Sequence, residues 1–322
     1  MDAVLDLRNV SKRYPQHTAV ESVSLQVPRG SLFSLVGPSG CGKTTTLRMV
    51  AGFETPTEGQ VLLNAQDISQ LPPYQRNVST VFQNYALFPH LTARANIEFG
   101  LRRKNASDVD GPVRKVLELL QLAGKEARFP SQMSGGEKQR VALARSLVIE
   151  PDVLLLDEPL SALDPQLRKQ VRVELKSLQR RVGITFLMVT HDQEEALSMS
   201  DHIAVMHRGR LEQVGTPHEI YLHPASRFVA SFLGAVNWIN DVGVRPEVTR
   251  ISQQPPGNGH ASRPATIRAA TFLGNCYHIE AELPGGESAI AEIPRGNGVY
   301  KPGDQVHVWW HTHDEIRVPH ER

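Results

Sequence analysis

The chain has 322 residues with 35 Lys and Arg against 34 Asp and Glu, a formal net charge of +1, and that balance argues against nucleic-acid affinity driven by bulk charge. Two cysteines, Cys41 and Cys276, make no disulfide framework and suit a reducing compartment. No apolar run approaches the ~20 residues that span a bilayer, and Met1-Asp2-Ala3-Val4-Leu5-Asp6 lacks the basic and apolar regions of a signal peptide, so a cytoplasmic protein of one large and one small domain is expected.

Residues 3 to 36 hold short strand-like runs, Val4-Leu5-Asp6-Leu7 and Val23-Ser24-Leu25-Gln26-Val27, separated by turn residues as in an antiparallel subdomain. The apolar run Leu32 to Val36 then reads as a buried strand. It is followed by Gly37-Pro38-Ser39-Gly40-Cys41-Gly42-Lys43-Thr44, which matches the phosphate-cradling pattern G-x-x-x-x-G-K-[ST]. Thr45 to Val50 continue without a breaker until Gly52 and read as a helix. Glycines let backbone N–H groups close around an anion, Lys43 adds a point charge, and the Thr44 hydroxyl suits Mg2+. Cys41 inside that loop reads as a small residue in preference to a redox thiol.

From about 85 to 150 the chain turns helical, with Val113, Val116, Leu117 and Leu120 on one apolar face. Ser134 reads as an N-cap, and Gly135 and Gly136 leave bare N–H groups at the positive end of a helix whose apolar positions are Val141, Ala144, Leu147 and Val148. Val153-Leu154-Leu155-Leu156 reads as a parallel strand delivering Asp157 and Glu158 to the carboxyl end of the sheet. Asp157 is placed to hold Mg2+, through water, and Glu158 to act as general base on an attacking water. Asp164-Pro165 starts a helix with Leu167, Val171, Leu175, Leu178 and Val182 on one side, stopped by Gly183.

Beyond Leu233, Ser252 to His260 is too polar to bury a core. The runs Thr266-Ile267-Arg268-Ala269, Tyr277-His278-Ile279-Glu280 and Val306-His307-Val308-Trp309-Trp310 follow as strands of a small β domain. His311 and His313 read as an exposed strand end in preference to a metal site.

Met133-Ser134-Gly135-Gly136-Glu137, taken with the phosphate loop and the acidic pair, resembles the signature of the ATP-binding cassette (ABC) ATPases, with Met133 and Glu137 in place of the usual Leu and Gln. The resemblance covers roughly the first 235 residues. It implies that Tyr14 stacks on adenine and that residues 37 to 45, Thr45 included, hold the phosphates. It also places Gln83 at the Q-loop, with Thr44 and Asp157 around Mg2+, Ser161 to Asp164 at the D-loop, and His191 as the switch histidine. The implied fold class is α/β, a P-loop NTPase cassette with a RecA-like core, an antiparallel β-subdomain and a helical subdomain over about 85–150. A small β-barrel-like, OB-type domain would follow. The expected boundaries are 1–234 and 235–322, with a flexible loop at about 252–264.

That second domain resembles, at Gly243-Val244-Arg245-Pro246-Glu247, the accessory domain of importer ATPases for polyamines, ferric iron, sulfate and maltose. Its first part looks deleted relative to them. The stretch from Leu167 to Tyr221 resembles the polyamine-type importers most. The resemblance therefore implies an ATP-hydrolysing homodimer, with Mg2+ as cofactor. It would work at the cytoplasmic face of a bacterial or archaeal membrane with permease subunits and an extracytoplasmic solute-binding protein, without nucleic acid. Lys43, Thr44, Asp157 and Gln83 of one subunit would share ATP with Ser134 and Gly136 of the other, Glu158 and His191 serving hydrolysis. Polyamine or ferric-iron uptake is the leading expectation. Sulfate, sugar or phosphonate import, a soluble non-transport ABC protein and an efflux ATPase are the alternatives. Tyr85-Ala86-Leu87-Phe88-Pro89 is the expected groove for a permease helix, with ordinary subdomain core as its rival.

Overall fold

The computed structural model describes residues 2–257, 259–296 and 300–319. They separate into two compact units that meet in sequence between Pro217 and His218. In chain order the first unit contains β1 (Ala3–Tyr14), β2 (His17–Pro28), β3 (Leu32–Val36), α1 (Lys43–Ala51), β4 (Glu58–Leu63), β5 (Gln66–Asp67), β6 (Val78–Val81) and α2 (Ala93–Arg103). There follow α3 (Asp110–Leu119), α4 (Gly135–Leu147), β7 (Val153–Asp157), α5 (Pro165–Val182), β8 (Thr185–Thr190), α6 (Gln193–Met199), β9 (His202–His207) and β10 (Arg210–Gly215).

The apolar runs of β3, β7 and β8 are buried along their length because both faces of their sheet are covered. Its order is β10-β9-β3-β8-β7-β6, with β9, β3, β8, β7 and β6 parallel and β10 antiparallel at the edge. Alternation along each strand divides the side chains between two cores. Leu154, Leu156, Phe186 and Met188 face the layer of α2, α3, α4 and α5. Val153, Leu155, Leu187 and Val189 face α1 and the antiparallel sheet β2-β1-β4-β5. Each such fully buried side chain contributes ~1.5–3 kcal/mol.

The expected helical stripe is present: Val113, Val116, Leu117 and Leu120 are buried in the first core, as are Val141, Ala144, Leu147 and Val148. Helix α5 runs from its Asp164 cap to Gly183, which adopts φ 67°. Strands β1 and β2 are longer than the short runs expected. Their register shifts at several points, so buried Val10 and Ser11 stand side by side and the alternation that identifies a strand is lost.

The second unit contains α7 (Pro217–Leu222), α8 (Arg227–Phe232), β11 (Asn237–Ile239), β12 (Val242–Val244), β13 (Arg250–Ser252), β14 (His260–Phe272), β15 (Cys276–Glu282), β16 (Ser288–Pro294) and β17 (Gln305–His311). The last five form an antiparallel sheet, β13-β17-β14-β15-β16, whose edge strands β13 and β16 come into contact around a core of Ile267, Ile279, Ala291, Val308 and Trp310. The division at Pro217 differs from the expected 234/235. Arg245 accounts for it: its guanidinium donates to the carbonyls of Tyr221, Ala230 and Ala235 and lies 4.1 Å from the Tyr221 ring centroid, binding α7 and α8 to the β segment. The expected loop at 252–264 is also shorter, because His260 to Pro264 pair with His311 to His307; Asn258 lies outside the described residues.

Candidate functional site

Four neighbouring parallel strands, β3, β8, β7 and β6, deliver the predicted residues at their carboxyl ends, the edge where open α/β sheets bind ligands. The phosphate loop follows β3. Gly42 caps α1 at φ 104°, and a Cβ there would stand 2.4 Å from the Ala19 carbonyl oxygen, so glycine is required. Pro38 is half-buried and Ser39 and Gly40 are exposed, while Thr44 and Thr45 sit half-buried on the first turn of α1. Lys43 is only 6% exposed. Its Nζ donates to the carbonyls of Gly37 at 2.7 Å and Pro38 at 2.9 Å and lies 3.7 Å from Cys41 Sγ. Burial pushes the Cys41 thiol up, with Lys43 opposing, which keeps it a packed, protonated side chain.

Asp157 ends β7 half-buried. Burial, then the neighbouring Glu158, pushes its carboxyl up, while Arg48 and Lys43 pull the other way. Glu158 adopts φ 46°, a left-handed conformation that costs a non-glycine residue ~1–3 kcal/mol. Two anchors hold it there: its N–H donates to Val189 O on β8 at 3.0 Å, and its carbonyl accepts from Ser161 N at 3.2 Å and Ser161 Oγ at 2.9 Å. The turn aims the carboxylate at two partners. Gln83 Nε2 donates to Oε2 at 3.3 Å and to Ser161 Oγ at 3.1 Å, and His191 Nδ1 stands 3.2 Å from Oε1. Glu158 is 24% and His191 56% exposed, so the pair is open to solvent on one side.

Gln83, Glu158, Ser161 and His191 are therefore one cluster, beside Asp157. The Ser134 to Glu137 segment stands apart from it as a helix terminus. Ser134 Oγ accepts from Glu137 N at 3.3 Å while Ser134 N donates to Glu137 Oε2 at 2.9 Å, closing a reciprocal cap with Gly135 and Gly136 on the first turn of α4. Glu137 also meets Lys125 at 2.9 Å and Arg128 at 3.5 Å; chiefly through Lys125, and then the Ser134 N–H, its carboxyl is lowered from the ordinary 4.5 to about 2. Met133 fills the core, as an apolar substitute should. Asp164 caps α5 by accepting from Leu167 N at 3.0 Å. Tyr14 ends β1 with its ring stacked 5.3 Å from His17 and Lys12 Nζ 5.2 Å from its centroid.

Two groups of contacts had no signal in sequence spacing. Gln139, on α4, donates to Pro159 O at 3.3 Å and so ties that helix to the turn after Glu158. Arg145 donates to Ala86 O at 2.7 Å and Tyr85 O at 2.9 Å, pinning two successive left-handed residues. Tyr85 consequently belongs to the core, while Phe88 lies half-buried with its ring 4.6 Å from Phe99, so the expected groove is partly core. In the second unit His311 and His313 stack at 5.0 Å, and no metal-ligating group of three is present among the described residues.

Residues 20–161 match the ABC transporter family and residues 242–317 the TOBE domain. The spermidine/putrescine import ATP-binding protein PotA of Trichormus variabilis is 55% identical over 98% of this chain and 93% of its own. Its Bacillus cereus counterpart is 42% identical over 99% of this chain and 100% of its own. Among solved structures, cbiO1 from Clostridium perfringens, part of the ABC transporter complex cbiONQ, aligns with TM-score 0.62 and 27% identity over 68% of this chain and 91% of that one. A dimeric post-hydrolysis ATP-binding cassette bound to ADP and Pi aligns with TM-score 0.58 and 31% identity, over 66% of this chain and 98% of that one. With its phosphate loop, its acidic pair and a C-terminal TOBE domain, the chain belongs to the ATP-binding proteins of ABC transporters, in the group that includes the spermidine/putrescine import proteins.

Proposed function

We propose that this chain hydrolyses ATP as a homodimer and thereby drives polyamine import. The observation that carries the catalytic part is the Glu158 carboxylate, held between Gln83 and His191 immediately after Asp157. Backbone N–H groups between Ser39 and Thr45 and the Lys43 ammonium bind the phosphates, and the tight packing around Gly42 fixes the loop before ATP arrives. Thr44, Gln83 and Asp157 would offer oxygen donors of the kind Mg2+ prefers, and the ion held there would supply charge neutralisation to the phosphates. Glu158 accepts the proton of the attacking water and His191 contacts the γ-phosphate. Gln83 holds the carboxylate in line from its other oxygen, so positioning and charge do most of the work.

In the pair, Ser134 and Gly136 of one subunit would face the phosphates held by Lys43 of the other, α4 presenting its positive end to the anion. The partners proposed are permease subunits and an extracytoplasmic solute-binding protein, with the chain at the cytoplasmic face of a bacterial or archaeal membrane. Among the described residues no helix is long and apolar enough to cross one. The cargo reading is supported by the relatives named for spermidine and putrescine import. Its test is deletion of the gene and measurement of labelled spermidine and putrescine uptake. Uptake should fall and return with the wild-type chain but not with Glu158→Gln. Normal polyamine uptake beside a defect for ferric iron, sulfate or a sugar would refute the cargo and leave the ATPase standing.

A further inference from the structure

Behind His191 lies a cluster of charged side chains that phosphate chemistry does not call for. Glu195 on α6 is 3% exposed and accepts from Thr190 Oγ1 at 2.6 Å. Thr190 Oγ1 in turn accepts from Asp192 N at 3.0 Å, and Asp192 Oδ1 accepts from Glu195 N at 3.0 Å. Both chain neighbours of His191 are thus tied to Glu195, Thr190 through its buried carboxylate and Asp192 through its backbone N–H.

The same cluster is gripped from α5. Arg168 Nη1 donates to Asp192 Oδ2 at 3.4 Å, Nη2 donates to Leu163 O at 3.2 Å, and Nε stands 4.0 Å from Glu195 Oε1. A second guanidinium, Arg172, lies 3.7 Å from Asp192 and 3.1 Å from Glu194. Arg168 therefore joins the segment before α5, at Leu163, to Asp192 directly after His191 and, at 4.0 Å, to the Glu195 that holds Thr190 before it. A planar fork with donors pointing in several directions suits this task; a lysine ammonium would have to choose among the acceptors.

We propose that Arg168 is a positioning residue that locks the His191 backbone to the start of α5, so that the approach of His191 to Glu158 follows the position of the Ser161 to Asp164 segment. The inference rests on the reading that Glu158 and His191 serve hydrolysis. Its consequence is directional: when a second copy of this chain presses on that segment, the displacement reaches the imidazole through one guanidinium and not through the sheet.

The test is a double-mutant cycle on the purified full chain, measuring steady-state MgATP hydrolysis, nucleotide binding and thermal midpoint for Arg168→Ala, His191→Ala and the two combined. Arg168→Ala should lower kcat ~10- to 100-fold with KM for ATP within about threefold, the scale on which a misplaced group costs rate. In the His191→Ala background the same change should cost less than about twofold, because the group it positions is gone. Arg168→Lys should restore part of the rate. Additive losses, or a raised KM at unchanged kcat, would overturn the inference while leaving the reading of the site intact. Full turnover by His191→Ala would overturn both. Should Arg168→Ala fail to fold, Glu195→Gln carries the same cycle, since it keeps shape and the Thr190 hydrogen bond while removing the charge opposite Arg168.

Discussion

Gln83 and Glu158 meet at 3.3 Å although 75 residues separate them in sequence. The contact exists because β6 and β7 are parallel neighbours in register, Val81 opposite Leu156, so the residues following each strand emerge side by side. His191 reaches the other carboxylate oxygen by the same logic, because Asp157 pairs with Val189 on β8.

Removing the base while keeping its shape isolates its chemistry. Glu158→Gln should bind MgATP normally and lower turnover by at least ~10²-fold, because the amide still reaches Gln83 and His191 but accepts no proton. It should also accumulate as an ATP-bound dimer on gel filtration. Near wild-type turnover in the purified variant would remove Glu158 from the mechanism.

Glu137 replaces the glutamine usual in the signature, and its environment explains how. The carboxylate closes the cap on Ser134 and pairs with Lys125 and Arg128. Its folded pKa of about 2 lies below the ordinary 4.5, so its stabilisation is complete above 4.5 and is lost as pH falls from there through about 2. Glu137→Gln keeps a capping side chain. Thermal melts should therefore place the variant within about 1 kcal/mol of wild type at neutral pH. The wild-type advantage should shrink as the pH falls below 4.5. An advantage that persists unchanged to pH 2 would contradict the assignment.

Arg245 decides where a shortened chain should end. A chain stopping at Leu233 keeps α7 and α8 but loses the guanidinium that satisfies the carbonyls of Tyr221 and Ala230. One stopping at Pro217 ends where the compact units divide. The shorter chain should be soluble and hydrolyse ATP within several-fold of the full length, and the longer one should aggregate more readily. The opposite order in light scattering would show that the helices belong with the first unit.

The site was legible where strand ends deliver it. Leu32 to Val36 and Val153 to Leu156 are continuous apolar runs because both faces of the sheet are covered, and whatever follows such a run emerges at the same edge. The phosphate loop was legible because its glycines answer a local demand, the left-handed backbone at Gly40 (φ 78°) and Gly42 (φ 104°). Arg145, Arg168 and Arg245 were not. Each acts on carbonyls or carboxylates brought near by tertiary folding, and an arginine on a helix or in a loop carries no mark of what it will touch. The long β1–β2 hairpin was read short for a different reason, its bulges breaking the alternation on which strand recognition depends.

Ser134 bonds within its own cap, which reaches Lys125 and Arg128 through Glu137, and none of these contacts joins it to the phosphate loop of its own chain. If the N-terminus of α4 serves the ATP of a second copy, a Lys43→Ala chain and a Ser134→Arg chain should each be nearly inactive alone. The first loses the phosphate charge at its own loop, and the second places a bulky cation where the partner's phosphates must approach a bare helix end. Mixed, they form pairs in which one composite site combines the intact Lys43 of one chain with the intact Ser134 of the other, so hydrolysis should return. A random pairing of equal amounts gives about half mixed dimers with one good site of two, so the recovered rate should approach ~25% of wild type if the two sites fire independently, and less if they must close together. Mixing should also make activity depend on total concentration, rising more steeply than linearly below the dimer constant. Two folded, dimer-forming variants that recover nothing at any ratio would show that each site is completed within its own chain or that both must be intact to fire; a wild-type chain diluted with the Lys43→Ala variant separates these, since only the second case gives a loss steeper than the fraction of variant added.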